Sequence, residues 1–252
     1  MKKQPKVFLI NLDKSKDRLE KSATRLAEHG VAFERIPAVY GADLSEQEIA
    51  QHYSVKLNNK QFFRPLGKGE IGCYFSHRLA WQKIVDQQLP YGIVLEDDFR
   101  IVGDLSKVFN ALDALNGEWE LVKLASYQNR TRPIKASKTI DEHFDLVVNT
   151  KAVTGCCAQA ITLEGAKKLL AATDKFGRPV DTDIQHIWET KVPVVALMPF
   201  YIEQDMEFES DIAAVSQKKE KKSLSKKLKA MMKEKVMNFI HTAKVAKRLT
   251  QS

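Results

Sequence analysis

Short runs of consecutive apolar residues alternate along the chain with segments in which apolar residues recur every three or four positions. The runs are typical of strands buried on both faces, and the second pattern is typical of helices with one buried face. The predicted strands cover residues 6–11, 32–39, 91–95, 118–125, 146–148, 158–162 and 192–197. The predicted helices cover residues 14–29, 69–87, 105–115, 164–173 and 183–190, and a capping box at 45–48 opens a further short helix.

This alternation of strands and helices predicts an α/β fold with a mainly parallel sheet and helices on both faces. The strands at 146–148 and 158–162 follow one another closely and could add an antiparallel edge. Residues 52–67 and 129–142 show no clear period, so both are predicted to be irregular surface segments.

The end of the chain has a different pattern and a different charge. Residues 217–252 hold 12 of the 40 Lys and Arg residues and 2 of the 32 Asp and Glu residues, a local net charge of +10. The remaining 28 basic and 30 acidic residues leave the body at −2. We therefore predict a globular domain over 1–210, a linker over 211–222 and a basic tail over 223–252.

The tail is predicted to form an amphipathic helix. Its apolar residues fall on one stripe at helical spacing: Leu224, Leu228, Met231, Met232, Val236, Phe239, Ile240 and Ala243. Basic amphipathic helices of this kind lie on anionic membrane surfaces, and removal of the residues after Ser216 is then expected to weaken vesicle binding but spare activity. The alternatives are a partly disordered tail, or a helix docked on the body or on a second subunit.

Composition narrows the class of protein. With 44% hydrophobic and 29% charged residues the chain is typical of a soluble globular protein. The N-terminal apolar run has only four residues, nothing later approaches a membrane span, and the three cysteines show no CxxC spacing. These features predict a reducing, cytoplasmic location. A nucleic-acid partner is not expected, because the body is slightly acidic and Phe239 is the tail's only aromatic residue.

Three adjacent carboxylates, Glu96, Asp97 and Asp98, end the apolar strand at 91–95. Adjacent acids repel one another unless a cation or hydrogen-bond donors offset them. Because ligands of open α/β sheets bind at the carboxyl ends of strands, and hard oxygen ligands suit Mg²⁺ or Mn²⁺, these acids indicate a metal site facing a diphosphate. The alternative is a solvated acidic turn.

Two segments near the predicted helix starts carry further polar candidates. Asn11 begins the first strand-to-helix turn and Arg18 lies just inside the helix, where helix N–H groups and a guanidinium favour a diphosphate. Glu70, Cys73 and His77 share one face of the next long helix, although a metal site from His77 and Cys73 would be incomplete. A solvated turn and a buried, hydrogen-bonded histidine are the alternatives.

Two later segments complete the set. Gly155 and the small residues around it would let a ligand lie against the backbone, although a structural role is equally compatible. Asp181 and Asp183 stand at the mouth of a helix, where one of them would serve as a general base or where both would only cap the helix.

Taken together, the segments resemble glycosyltransferase family 25, of the lipooligosaccharide-biosynthesis galactosyltransferase type. The resemblance runs over about residues 6–205 and is carried by 10–18, 69–73 with Ser76 and His77, 94–98, Gly155 with 163–166, 179–181, and Pro199 with Gln204. It implies a GT-A-like fold, a UDP-sugar donor (usually UDP-galactose), Mn²⁺ or Mg²⁺, and inverting transfer to a saccharide hydroxyl on a lipid-linked acceptor.

The resemblance also implies roles for residues of this chain. The acidic triplet 96–98 replaces the usual DxD metal motif with Glu at its first position, so the ligand pair is either Glu96 with Asp98 or Asp97 with Asp98. Asp181, and after it Asp183, would be the base. The residues expected to bind the donor are Asn11, Arg18, Glu70, Ser76, His77, Asp97 and Gly155. A catalytically silent nucleotide-sugar-binding homologue and a nucleic-acid-binding protein are the competing functions.

Overall fold

A computed structural model describes residues 5–115, 118–127, 132–206 and 224–251. Ten strands are present in the described residues: β1 Lys6–Asn11, β2 Phe33–Pro37, β3 Tyr91–Glu96, β4 Phe99–Ile101, β5 Leu121–Lys123, β6 Ile134–Thr139, β7 Asp145–Asn149, β8 Ala158–Thr162, β9 Val194–Met198 and β10 Ile202–Gln204. The helices of the same residues are α1 Lys16–Glu28, α2 Glu46–His52, α3 Val55–Gln61, α4 Lys68–Asp86, α5 Leu105–Ala114, α6 Leu163–Ala172, α7 Val180–Gln185, α8 Ile187–Thr190 and α9 Leu224–Gln251.

Eight strands form one sheet in the order β2-β1-β3-β8-β5-β9-β7-β6, and β10 pairs with β4 in a small second sheet. In the large sheet β8 and β7 run opposite to the other six strands, so the sheet is mixed although most strands share one direction. The carboxyl ends of β1 and β3 therefore lie side by side at one edge of the fold, where α/β proteins bind ligands.

Helices cover both faces of the sheet, as the sequence predicts. One core contains Leu26 of α1 and Leu105 of α5, and the other contains Trp81 of α4 and Leu169 of α6. Neighbouring side chains of β3 alternate between the two cores, which explains why this strand is apolar without interruption. The predicted α/β class, with most strands running in one direction and helices on both faces of the sheet, is confirmed.

The two segments predicted as irregular contain regular structure. Residues 52–67 include α3, whose hydroxyl cap Ser54 accepts from the Leu57 N–H at 3.2 Å and which buries only Asn58. Residues 129–142 include β6, an edge strand with mostly exposed or half-buried side chains. Neither element buries an apolar face, so neither leaves a hydrophobic period in the sequence. The short strands β4 and β10 were also not predicted.

The tail helix α9 is docked on the body by one face. Leu249 is part of a core, Val245 and Ala246 pack against that core, and Lys135 of β6 donates to the Phe239 carbonyl at 2.8 Å. The predicted stripe lies on the other side: Leu228, Met231, Met232, Val236, Phe239 and Ile240 are exposed.

The predicted linker at 211–222 lies outside the described residues, and the domain division stays a prediction. Among the helices of the described residues, none has the length and apolarity needed to span a membrane.

Candidate active site

A cavity of about 810 Å³ opens at the carboxyl end of β3. Its floor includes Glu96 and Asp98, and its walls come from distant parts of the chain. One wall is formed by residues 61–64, at the end of α3 and just after it. A second wall is formed by residues 154–156 and 179–182, and a third by Met231 and Glu234 of α9. The cavity therefore depends on two regions that the sequence did not assign to the site, the segment after α3 and the tail.

The three acids at the end of β3 are divided between two environments. Glu96 and Asp98 line the cavity, whereas Asp97 accepts from the Asn11 amide at 2.7 Å and pairs with Arg18 at 2.6 Å. Consecutive side chains of an extended segment point to opposite sides, so the first and third acids share the cavity. Glu96 and Asp98 are thus the two acids of the triplet that line the cavity. Asn11, Arg18 and Asp97 support the floor from behind and do not line the cavity.

The surroundings of Asp98 disfavour its charged form. Burial, together with the negative charge of Glu96, raises the pKa of Asp98 to about 6, although a hydrogen bond from Gln204 at 2.7 Å opposes the rise. Its Oδ1 atom is buried and accepts no hydrogen bond within the described part of the chain. A buried carboxylate oxygen without a donor, next to a second carboxylate, is the arrangement that a divalent cation would satisfy. These residues fit a metal.

Glu96 is better supported than Asp98. Burial alone would raise its pKa, but the hydrogen bond from His77 at 2.8 Å and the charges of Lys123 and Arg18 outweigh burial, and the pKa is lowered. Glu96 is therefore ionised at neutral pH and available to a cation.

Helix α4 contributes structure as well as cavity surface. Glu70 lines the cavity and is held by the Arg64 guanidinium through two contacts of 2.7 Å. Ser76 is buried, accepting from the Val39 N–H and donating to the Gly72 carbonyl, both at 2.8 Å, and it does not line the cavity. Gly72 is required by close packing, since a Cβ there would lie 2.5 Å from the Val39 carbonyl oxygen.

Gly155 lines the cavity with a backbone φ of +90°, a conformation that side chains with a Cβ rarely adopt. A Cβ there would also meet the Tyr127 ring at 2.9 Å. Its carbonyl accepts from Lys123 at 2.6 Å. The small residue that the sequence pointed to is therefore required by both backbone conformation and packing, and its position against the cavity is compatible with a ligand.

The two candidate bases lie in different environments. Asp181 lines the cavity and accepts from the neighbouring Thr182 hydroxyl at 3.3 Å. Asp183 is buried behind it, where it accepts from the Tyr74 hydroxyl at 2.9 Å and from Arg178 at 2.6 Å. Burial raises the pKa of Asp183, with Arg178 opposing the rise. Only Asp181 of this pair is placed to meet a substrate in the cavity.

Comparison with models of known protein families identifies the family of this chain. A family model described as glycosyltransferase family 25 (LPS biosynthesis protein) matches residues 4–184. The chain belongs to glycosyltransferase family 25. The matched range contains β3, the acidic triplet and Asp181, so the resemblance drawn from these motifs is confirmed.

Curated relatives of this family 25 chain include named galactosyltransferases. The chain is 30% identical over 210 residues to procollagen galactosyltransferase 2 of Mus musculus, a match that covers 79% of this chain and 33% of the relative. It is 31% identical over 175 residues to a glycosyltransferase 25 family member of Drosophila melanogaster, covering 66% and 28%. The chain spans about a third of the length of these relatives.

Solved structures resemble the family 25 chain more distantly. A glycosyltransferase involved in the glycosylation of the major capsid of PBCV-1 aligns with a TM-score of 0.46 at 8% identity, covering 85% of this chain and 98% of that one. A Drosophila galactosyltransferase 7 in complex with manganese, UDP-Gal and xylobiose aligns with a TM-score of 0.41 at 11% identity, covering 88% and 82%.

The sequence patterns did not identify several residues that lie in or beneath the cavity of this family 25 chain. Lys151 lines the cavity and pairs with Glu234 of α9 at 2.7 Å, a contact across 83 residues that no local pattern announces. Lys123 lies fully buried beneath the cavity in β5. The signal for Lys123 was present, because a single lysine within an otherwise apolar strand is unusual unless its charge has a use.

Proposed function

We propose that the chain is an inverting glycosyltransferase that moves a hexose, galactose from UDP-galactose, to the hydroxyl of a saccharide acceptor. The observation that carries this proposal is the cavity floor, where Glu96 and Asp98 line the same cavity as Asp181 and the buried Oδ1 atom of Asp98 accepts no hydrogen bond within the described residues. Family membership and the galactosyltransferase names of the relatives support the choice of reaction and sugar.

Glu96 and Asp98 would hold Mn²⁺ or Mg²⁺ at the donor end of the cavity. A bound divalent cation would neutralise the charge that develops on the UDP diphosphate as the sugar departs. Arg18 and Asn11 act from behind the floor, because they fix Asp97 and through it the backbone that presents the two ligands. Glu70 with Arg64, and Gly155 with Tyr127, shape the walls beside the donor.

The base that we propose is Asp181. An inverting displacement needs one carboxylate on the acceptor's side to take the proton of the attacking hydroxyl. Asp181 meets the positional requirement because it lines the wall of the cavity. Asp183 serves instead to fix the start of α7, since both of its carboxylate oxygens are held by Arg178 and Tyr74.

Calorimetric titration of UDP, with and without Mn²⁺, tests the donor site. Metal-dependent binding is expected for the native chain and for the control Asp86→Asn, which removes an exposed carboxylate at the end of α4. Asp98→Asn should lose the metal-dependent part. Absence of UDP binding by the native chain under every condition would remove the basis of the proposal.

Replacing Asp181 by Asn tests the base. Turnover is expected to fall by roughly 10²- to 10⁴-fold, with UDP affinity nearly unchanged, because general-base catalysis contributes about that much. Survival of turnover in Asp181→Asn would assign the proton transfer to another group. Thr182→Val is the matched control, since it removes the hydroxyl that contacts Asp181 but leaves the carboxylate.

For the acceptor we propose a lipid-linked saccharide of the lipooligosaccharide type, met at the cytoplasmic face of a membrane. The support comes from α9, whose exposed apolar stripe is flanked by the exposed cations Lys233, Lys235, Lys244 and Lys247. Met231 belongs to the stripe and also lines the cavity. A membrane bound along the stripe would therefore lie next to the mouth of the cavity.

Vesicle binding tests this surface. Sedimentation with vesicles of phosphatidylcholine and phosphatidylglycerol should show binding that falls in the triple variant Met232→Ser, Val236→Ser, Phe239→Ser. The matched control replaces three exposed apolar residues elsewhere on the body, Val55, Leu79 and Val102, by Ser. Equal binding by both triple variants would exclude the stripe as the membrane contact. An acceptor screen that includes procollagen peptides would then decide whether a protein is the acceptor.

A further inference from the structure

A fully buried lysine lies beneath the floor of the cavity. The Lys123 side chain has no exposed surface, and its ammonium group donates to the Gly155 carbonyl at 2.6 Å and to the Gln159 Oε1 atom at 3.2 Å. The Cys156 sulfur lies 3.8 Å away. The carbonyl and the amide are neutral groups. Burial raises the pKa of the Cys156 thiol to about 12, so the thiol is uncharged as well. Burying a charge among neutral groups lowers the free energy of unfolding. Its presence here therefore points to a use in the candidate site.

Gln159 connects this lysine to helix α4. The two residues are direct neighbours across β5 and β8, and Gln159 is also fully buried. An ammonium group can only donate, so the Gln159 carbonyl oxygen must face Lys123 and the amide NH₂ must face His77, whose Nδ1 atom lies 3.4 Å away. The His77 Nδ1 atom therefore accepts.

The tautomer of His77 follows from that contact. Because Nδ1 accepts, the ring proton sits on Nε2, and Nε2 donates to the Glu96 Oε1 atom at 2.8 Å. The chain of donors thus runs in one direction, from Lys123 through Gln159 and His77 to Glu96. The orientation of each group is set by the buried ammonium at its start.

This direction decides between two interpretations of a neighbouring cluster. Ligand atoms of Cys73, His77 and Glu96 lie within 4.8 Å of one another, a sulfur, nitrogen and oxygen set that would suit Zn²⁺. However, the His77 nitrogen that faces the cluster carries a proton. The Cys73 sulfur lies 3.9 Å from the Glu96 Oε1 atom, where the thiol donates to the same oxygen as His77. As arranged here, the cluster is a set of hydrogen-bond donors to Glu96 and not a metal centre.

We propose that Lys123, Gln159 and His77 are positioning residues that orient Glu96 as a ligand of the catalytic cation, and that the Lys123 charge offsets the negative charge of the cavity floor. The contacts of His77 and Cys73 both fall on Glu96 Oε1, so Oε2 would be the oxygen available to a cation. The same ammonium donates to the Gly155 carbonyl, so one buried charge supports both the floor of the cavity at Glu96 and the wall at Gly155. This inference rests on the proposed function for the identity of the bound cation. The direction of the hydrogen bonds from Lys123 to Glu96 does not depend on the proposed function.

The first test is independent of catalysis. Long-range ¹⁵N–¹H NMR spectra of ¹⁵N-histidine-labelled protein without metal should show His77 as the neutral Nε2–H tautomer. Gln159→Met, which removes the amide but keeps the length of the side chain, should lower the fraction of that tautomer. An Nδ1–H tautomer or a doubly protonated ring in the native chain would overturn the proposed direction.

The second test measures the affinity for Mn²⁺ in the presence of UDP by calorimetry. Lys123→Met and His77→Leu should each weaken Mn²⁺ binding by about 10- to 100-fold, the range seen when groups that orient metal ligands are removed. His77→Gln, which keeps a donor near the Nε2 position, should restore most of the affinity. Combining Lys123→Met with His77→Leu should cost less than the sum of the two single changes, because both act on Glu96.

The controls separate this proposal from folding and from the proposed function. Lys168→Met removes one positive charge from an ion pair with Glu120 outside the chain of donors, and it should keep native Mn²⁺ affinity. Urea unfolding of each variant shows which of them are folded. Native Mn²⁺ affinity in folded Lys123→Met and His77→Leu would refute the positioning role. Failure of the native chain to bind Mn²⁺ and UDP would refute the proposed function instead, while the NMR result would still report on the tautomer.

Discussion

At the scale of single residues, neighbouring carboxylates of the same triplet perform different tasks. Asp97 is almost entirely buried and is tied to Arg18 and Asn11, whereas Asp98 faces the cavity with one oxygen unsatisfied. The alternation of an extended chain separates them, since adjacent side chains leave on opposite sides. A motif of three acids therefore combines a structural ion pair with the two cavity carboxylates that flank it.

Unfolding of Asp97→Asn and Asp98→Asn in urea should show this division. Asp97→Asn removes the ion pair between Asp97 and the largely buried Arg18 guanidinium, so the free energy of unfolding should fall by about 2–4 kcal/mol. Asp98→Asn removes repulsion with Glu96 and should leave stability unchanged or raised. Equal losses in both variants would show that the two acids are equivalent supports. Metal-dependent UDP binding should be lost only in Asp98→Asn among the variants that remain folded.

At the scale of elements, the pattern of apolar residues predicts those helices and strands that bury an apolar surface. The strand β3 and the helices α1, α4 and α5 lie close to their predicted positions, because each packs against a core. The elements α3 and β6 were missed because they are fixed by a side-chain cap and by pairing with β7, not by burial. The segment after α3 lines the cavity, so the missing prediction also concealed one wall of the site.

The edge of the sheet at β2 offers a test of pH dependence. Glu34 of β2 is bound by Lys6 of β1, with further contacts to Gln87 and Lys83, and these lower its pKa from 4.5 to about 2. A lowered carboxyl pKa means that the unfolded chain binds more protons between these values. This contribution to stability is therefore present above about pH 4.5 and is lost as the pH falls toward 2.

Glu34→Gln should remove that dependence. Its free energy of unfolding at pH 6 should be lower than that of the native chain by less than about 1 kcal/mol, because the pair is partly exposed and screened by solvent. The difference between the two proteins should narrow when urea unfolding is repeated near pH 3. A difference that stays constant over this range would assign the effect to packing and not to charge.

At the scale of the whole molecule, the candidate site joins residues that no local pattern connects. The acids of β3, Asp181 and Gly155 could be identified from the sequence, because each stands in a motif at the end of a strand or the start of a helix. The docking of α9 brings Glu234 to Lys151. The order of strands in the sheet brings Gln159 to Lys123. The basic tail was correctly predicted as a helix with an apolar stripe, but its second face, which packs on the body, carries no comparable pattern.

The docking of α9 changes what removal of the tail should do. Leu249 is buried in a core, and Met231 and Glu234 line the cavity, so deletion of residues 224–252 should lower the free energy of unfolding and weaken UDP binding. Leu249→Ala alone should cost about 2–3 kcal/mol, whereas Leu228→Ala on the exposed stripe should cost almost nothing. Urea unfolding and UDP calorimetry on the three variants measure these effects. A truncated chain with native stability and native UDP affinity would show instead that α9 only carries the membrane contact, which is the behaviour expected from the tail sequence considered by itself.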